Sequence, residues 1–558
     1  MAPSRPPSSF RSSGVVRSDG KTSQIPPAHA RARLPWLAAG LVMALLTAAL
    51  LRSWLMTDYL DYDESQIYLV AVSPLWADFE REFRNRTHPP LSYLAMKPFL
   101  ALSHEAWAVK ALSLLSGLAA IPIIQLALNQ RLSPGAALLG AVVISTTPDF
   151  VWQSIEARHY SLCLLLVWLS LLVYLRLAGD PAPRLADHAR LACILLLVLV
   201  TEYLAMPHVA AVAVLAAAPD AWRHLRAGRW RRAVAVVGIY AGTLGLTAAL
   251  FAWQFQGRIP SRHPHTIPFM YGGSLLDLRA MLGFLTTRWL AFADSLLPSP
   301  WGVLLLVLLV APWTGLLRDD PSRRLARRLS LGAALALGFS SVAALLGHLP
   351  LGGRPRHMIA TVPLVLLADT FILAGLVGRL PRPAWRVAAS AVVAGGFLIG
   401  SAVGLRAGAN RSSEYAELVH TAGLGDYSQR PAAIVADRRG RNLVSWWLLR
   451  GREPRLVSAS VEGCLNFTYG DTRVAECDGD ALVIRAGELA RAEGRAWIVM
   501  TDQTNAMRLS DAMQRALAAL AASPDIEVRS GPVAPWLRYI AVAEVQRAPR
   551  GQKQVRSE

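Results

Sequence analysis

The chain holds 558 residues, 53% of them hydrophobic and 17% charged, with a mean hydropathy of +0.35 and a formal net charge of +19. A soluble domain carries roughly 25% charged residues, so the composition excludes an ordinary soluble enzyme and points to a polytopic membrane protein. The positive balance does not signal nucleic acid, because the arginines cluster in short loops between apolar runs, where orientation in a bilayer requires them.

Residues 1–33 are rich in Ser, Pro and Arg and hold no apolar run, which predicts a disordered cytoplasmic tail. The run from Leu34 to Met56 is too long for a signal-peptide core and lacks a small-residue cleavage pattern. It predicts an uncleaved first span. Eleven spans are expected in all, at 35–56, 106–128, 135–151, 159–177, 190–204, 206–219, 232–253, 297–316, 329–348, 357–378 and 386–405. Residues 190–219 also read as one long tilted helix, and charge decides between the two. With the Arg-rich N-terminus inside, two spans there put every later cluster on that same side. These clusters are Arg176/Arg184/Arg190, Arg223 to Arg232, Arg318 to Arg328, and Arg379/Arg382/Arg386.

The opposite face then receives residues 57–105, 149–158, 254–296 and 349–356, the turn near Glu202, and everything after about 406. Nearly all the unusual polar residues collect there. Beyond 406 the character changes: short apolar stretches (Ala432–Ala436, Trp497–Met500, Tyr539–Ala543) alternate with helical patterns such as Ser510–Ala521. This predicts a small α/β domain outside the membrane. The expected class is therefore an α-helical polytopic membrane protein, with a membrane domain over 34–405 and an extracytoplasmic α/β domain over 406–558. Cys464 and Cys477 of that domain are either a disulfide or two free thiols.

Five stretches on the outer face can carry chemistry. Asp58-Tyr59-Leu60-Asp61-Tyr62-Asp63-Glu64 follows the first span directly. A carboxylate at a membrane surface can act as general base toward a hydroxyl, with Asp63 the first choice and Asp61 and Glu64 close behind. The plainer reading is that these acids stabilise the N-terminus of a helix running through Ile67–Val72. His88-Pro89-Pro90-Leu91 is either a rigid loop exit or, with Arg84 or Arg86, a donor set for an anionic substrate. Glu156-Ala157-Arg158-His159-Tyr160 offers Arg158 as an interface anchor or as a bidentate phosphate ligand. Gly352-Gly353-Arg354-Pro355-Arg356-His357 combines a Gly-rich turn with two Arg suited to an anion. The middle loop from Arg258 to His265 gathers two Arg and two His, fitting a phosphate or a metal but matching no firm metal spacing. No nucleotide fingerprint is present in the sequence, which suits a donor already activated on a lipid.

In their order and common placement these motifs resemble membrane glycosyltransferases of the GT-C type, and within them glycosyltransferase family 39-like proteins. That group includes protein O-mannosyltransferases, the lipid A aminoarabinose transferase and rhizobial galacturonosyltransferases. The resemblance covers about 35–405. It implies a polyprenyl-phosphate-linked sugar donor, a glycan, lipid or protein acceptor, and an active site at the outer face of a bacterial inner membrane. It further implies Asp63 as base, Arg158 and Tyr160 in the second motif, and Arg356 toward the lipid phosphate, with His357 standing where the family usually has Tyr. No cofactor is firmly implied, and a divalent metal stays open. Two other classes compete. A transporter or lipid flippase would rest on Glu202 and Asp369, the ionisable residues set among the spans. A sensor would leave the acidic cluster and outer arginines without a role.

Overall fold

The computed structural model describes residues 27–57, 60, 62–73, 79–80, 88–255, 269–314, 317, 321–352, 355–421, 433–436, 441, 454–459, 464–469, 472–477, 480–501, 518–519, 521–523, 525–530 and 540–547. The expected helix at Ser510–Ala521 lies largely outside these residues.

Helix α1 (Pro27–Leu55) begins before the first apolar run and carries it. Two short helices follow, α2 (Tyr62–Val72) and α3 (Leu91–Leu100). At 11 and 10 residues, both are too short to cross a bilayer. They pack on each other through Tyr68, Val72, Tyr93 and Met96, forming a small core with Phe79 and Ala157.

The main helical body comprises α4 (Ala106–Leu128), α5 (Pro134–Ser145), α6 (Pro148–Ile155), α7 (Tyr160–Gly179), α8 (Leu185–Leu199), α9 (Met206–Arg226) and α10 (Trp230–Phe255). It continues with α11 (Leu278–Leu296), α12 (Trp301–Leu308), α13 (Pro321–Leu345), α14 (Val362–Gly378) and α15 (Pro383–Thr421). One apolar core joins α4, α5, α7, α8, α9, α13 and α14, with Trp168 wholly buried at its centre. Large apolar residues remain exposed on these helices, as at Trp54, Trp230 and Val392, which fits helices whose outer side meets hydrocarbon rather than water.

All eleven expected stretches are helical in whole or part. Among the described residues, seven helices are long and apolar enough to cross a membrane, or nine if each of two bent pairs is one span. The bends fall where proline interrupts the run: α5 and α6 meet at 65° before Pro148, and α11 meets the segment from Trp301 at 106° across Pro298 and Pro300. Gly302 is required at the second bend, since a Cβ there would lie 1.9 Å from the Ala293 carbonyl oxygen. The segment 254–296, expected as a loop, thus contains a 19-residue helix. Arg279 and Arg288 break its apolar pattern and give the sequence a polar look.

After α15 comes a seven-stranded sheet with order β2-β3-β4-β1-β5-β7-β6. The strands are β1 (Ala433–Ala436), β2 (Pro454–Ala459), β3 (Cys464–Tyr469), β4 (Thr472–Cys477), β5 (Arg495–Thr501), β6 (Ile526–Ser530) and β7 (Ile540–Arg547). Central β1 pairs in parallel with β4 and β5, and all four of its residues are buried, as a strand covered on both faces demands. Helix α16 (Asp480–Glu493) lays Leu482, Ala486, Leu489 and Ala490 on the sheet, a helical stripe of i, i+4, i+7, i+8. Cys464 and Cys477 face each other across the β3–β4 hairpin and form a disulfide.

Candidate active site

The site is assembled where the stretch after α1 meets the link between α6 and α7. Asp63 and Glu64 occupy the first turn of α2, so the helix-terminus reading describes their backbone correctly. Their side chains do more. The Asp63 carboxylate takes a guanidinium nitrogen of Arg158 at 2.9 Å, and the same guanidinium reaches Glu156 through Nε at 3.0 Å. Asp63 keeps an open side, 39% exposed, whereas Arg158 is buried. One arginine thus holds a carboxylate that still faces outward.

Glu64 points the other way. It is buried, accepts the Ala157 N–H at 2.6 Å and lies 3.6 Å from the Lys110 ammonium. Lys110, a solitary cation within the apolar helix α4, also donates to the Thr57 carbonyl and hydroxyl at 3.1 and 2.7 Å. Glu64 and Lys110 therefore clasp the end of α1, the start of α2 and the 156–158 link together. Ser113 completes the clasp: its hydroxyl donates to the Arg158 carbonyl at 2.8 Å and accepts the Arg158 N–H at 3.3 Å, while Ser161 donates to the Ser113 carbonyl at 2.7 Å. Arg158 is fixed from its backbone outward.

The His-Pro-Pro segment joins the same assembly from the opposite side. The His88 ring lies 4.0 Å from that of His159 and 6.3 Å, edge-on, from that of buried Tyr160. His88 Nδ1 stands 3.3 Å from Glu202 Oε2, and His159 Nε2 contacts that same oxygen directly. Glu202 is thus a carboxylate between two imidazoles.

The late Gly-Arg segment approaches through its backbone. The short helical turn Pro355–Met358 packs against the turn Tyr203–Ala205 that follows Glu202, bringing the backbone of Arg356 to this neighbourhood. His357 is buried against Phe269 with ring centres 5.2 Å apart. Gly352 has φ +62°, and a Cβ there would lie 2.3 Å from the Arg288 carbonyl oxygen, so only glycine lets this segment lie against α11. Arg288 itself stacks over Phe269 and Phe284. Asp61, Arg354, Arg258 and the remaining middle-loop cations lie outside the described residues.

The structure therefore brings together Asp63, Glu64, His88, Arg158, Tyr160 and the backbone of Arg356 from four separate stretches. Sequence reasoning missed Lys110 and Ser113, and placed Glu202 at an outer-face turn and as a residue on which a transporter would rest, without a role in this site. The available signal was a lone Lys and a lone Glu among apolar residues, where an uncompensated charge is costly.

This architecture, an apolar helical bundle followed by an α/β region, is a GT-C-like fold. Among solved structures the chain is similar to ArnT from Cupriavidus metallidurans in its apo state, with a TM-score of 0.51 at 13% identity, covering 92% of this chain and 98% of that one. It is also similar to the same enzyme bound to undecaprenyl phosphate, with a TM-score of 0.50 at 14% identity over 91% and 98% of the two chains. A looser likeness, with a TM-score of 0.41 at 12% identity over 83% and 69%, is to the oligosaccharyltransferase AglB from Archaeoglobus fulgidus. No family model matches the sequence, and no curated protein matches it.

Proposed function

We propose that this multi-pass membrane protein is a glycosyltransferase that moves a sugar from a polyprenyl-phosphate donor to an acceptor hydroxyl at the periplasmic face. The observation that carries the reading is the Asp63–Arg158 pair at 2.9 Å, an open carboxylate held by a buried cation where the outer segments converge. The GT-C fold supports it, as does the binding of undecaprenyl phosphate by the similar ArnT. The disulfide between Cys464 and Cys477 suits an extracytoplasmic C-terminal domain.

In the reaction, Asp63 takes the proton of the acceptor hydroxyl as its oxygen attacks the anomeric carbon. The bond from that carbon to the phosphate oxygen breaks, the polyprenyl phosphate leaves with the electron pair, and the anomeric centre inverts. Arg158 stabilises the charge on the leaving phosphate and Arg356 assists it. Glu64, spent on Lys110 and the Ala157 amide, holds the frame. Tyr160 walls the site beside the two imidazoles.

The test compares the lipids and envelope glycans of a strain lacking the gene with the same strain carrying wild-type or Asp63→Asn protein at equal membrane levels. The expected outcome is one lost sugar and one accumulated polyprenyl-phosphate sugar, restored by wild type and not by Asp63→Asn. Loss of a general base costs roughly 10²–10⁴-fold in rate. Full restoration by Asp63→Asn would remove Asp63 from the mechanism. Flux of lipid-linked sugar in proteoliposomes without covalent transfer would favour a flippase instead.

A further inference from the structure

We infer that His88, His159 and Glu202 form a binding site for one divalent transition-metal ion of the zinc class. Their three donor atoms lie within 4.8 Å of one another, each contributed by a different segment. In a tetrahedral zinc site with bonds of about 2.0–2.1 Å, neighbouring donors stand about 3.3–3.4 Å apart. His88 Nδ1 and Glu202 Oε2 are already at 3.3 Å. The His159–Glu202 contact opens when an ion enters between them.

The donor chemistry fits. Two imidazoles and one carboxylate are the set that holds catalytic zinc in some hydrolases, with a fourth position left for water or an anionic oxygen. The site is also built rather than accidental. His159 and Glu202 are each 1% exposed, in a stretch where an isolated charge is costly. Glu202 is aimed by its second oxygen, which accepts the Leu204 N–H at 2.8 Å. His88 is held by its backbone: Gln254 donates to its carbonyl at 3.0 Å, Tyr203 donates to Gln254 at 2.8 Å, and the Leu91 N–H reaches the Val200 carbonyl at 3.2 Å. Outer contacts of this kind fix ligand orientation in metal sites. An ion here adds a positive centre to the site.

The test uses the full-length protein in lipid nanodiscs, treated with chelator and then dialysed against Zn²⁺ or Co²⁺, with no sugar donor or acceptor present. The expected result is one ion retained per chain and, for Co²⁺, the intense visible absorption of a low-coordinate, imidazole-ligated ion. Glu202→Gln and His88→Ala should each weaken binding by more than the roughly 10–100-fold that loss of an outer-shell partner alone costs. His88 is partly exposed, so His88→Ala keeps the test open where Glu202→Gln fails to fold. Retention no greater than that of protein-free nanodiscs overturns the proposal, as does binding that survives in both variants. Because no transfer is measured, failure here leaves the role of Asp63 untouched.

Discussion

Arg158 serves two carboxylates through two different nitrogens, a task that a planar fork performs and an ammonium does not. Arg158→Lys is therefore expected to lower transfer by about 10²–10³-fold, the scale set by losing one charge-stabilising donor, with the protein still present in membranes. Kinetics in purified membranes, read as kcat against KM, would check this, and near-normal kcat would show that the fork is dispensable. Glu64 predicts a different phenotype. Glu64→Gln leaves Lys110 buried without its anion, a loss of about 3–5 kcal/mol that should appear as a lower melting temperature in detergent. Replacing both residues by apolar ones should recover much of it; no recovery would mean that the pair is not coupled. From the sequence, Asp63 and Arg158 stand as separate candidates on one expected face; their pairing at 2.9 Å needs the fold and was not read there. The division of labour between Asp63 and Glu64 was not legible, since adjacent positions in a helix face different ways only once its partners are known.

At the scale of elements, span boundaries follow hydropathy well, and bends do not. The pattern of α11 is broken by Arg279 and Arg288, one of which stacks on aromatic rings rather than facing water. That is why 254–296 read as a loop. Gly352 links this helix to the late Gly-Arg segment. Gly352→Ala combines a left-handed backbone with a 2.3 Å approach to the Arg288 carbonyl, so a cost of about 1–3 kcal/mol is expected. If Arg356 contacts the lipid phosphate as proposed, the same change should raise the apparent KM for donor more than it lowers kcat. A variant with normal stability and normal donor KM would refute both statements.

At the scale of the whole molecule, the orientation we propose places the arginine clusters inside and the Asp63 site outside. Reactive labelling of single cysteines placed at positions 180 and 270 should modify only 270 from outside intact cells. The reverse pattern would turn the proposed orientation over. The sheet domain carries its own brace: Cys464→Ser with Cys477→Ser should cost it about 2–4 kcal/mol and speed proteolysis beyond residue 421 while leaving the membrane body intact. Equal proteolysis with and without the bridge would show that the brace contributes nothing.

Helix α15 runs unbroken for 39 residues, about 58 Å at 1.5 Å per residue, while the hydrocarbon it must cross is about 30 Å thick. The remainder behaves as a mechanical shaft, and a shaft fixes phase as well as height. Each residue inserted between 407 and 421 advances it by about 100°, so two turn its far end by about 200° and four by little more than a full revolution. If the sheet domain must meet the membrane body at a set azimuth, activity should fall with two inserted residues and return with four. A smooth decline with length would mean that only height matters.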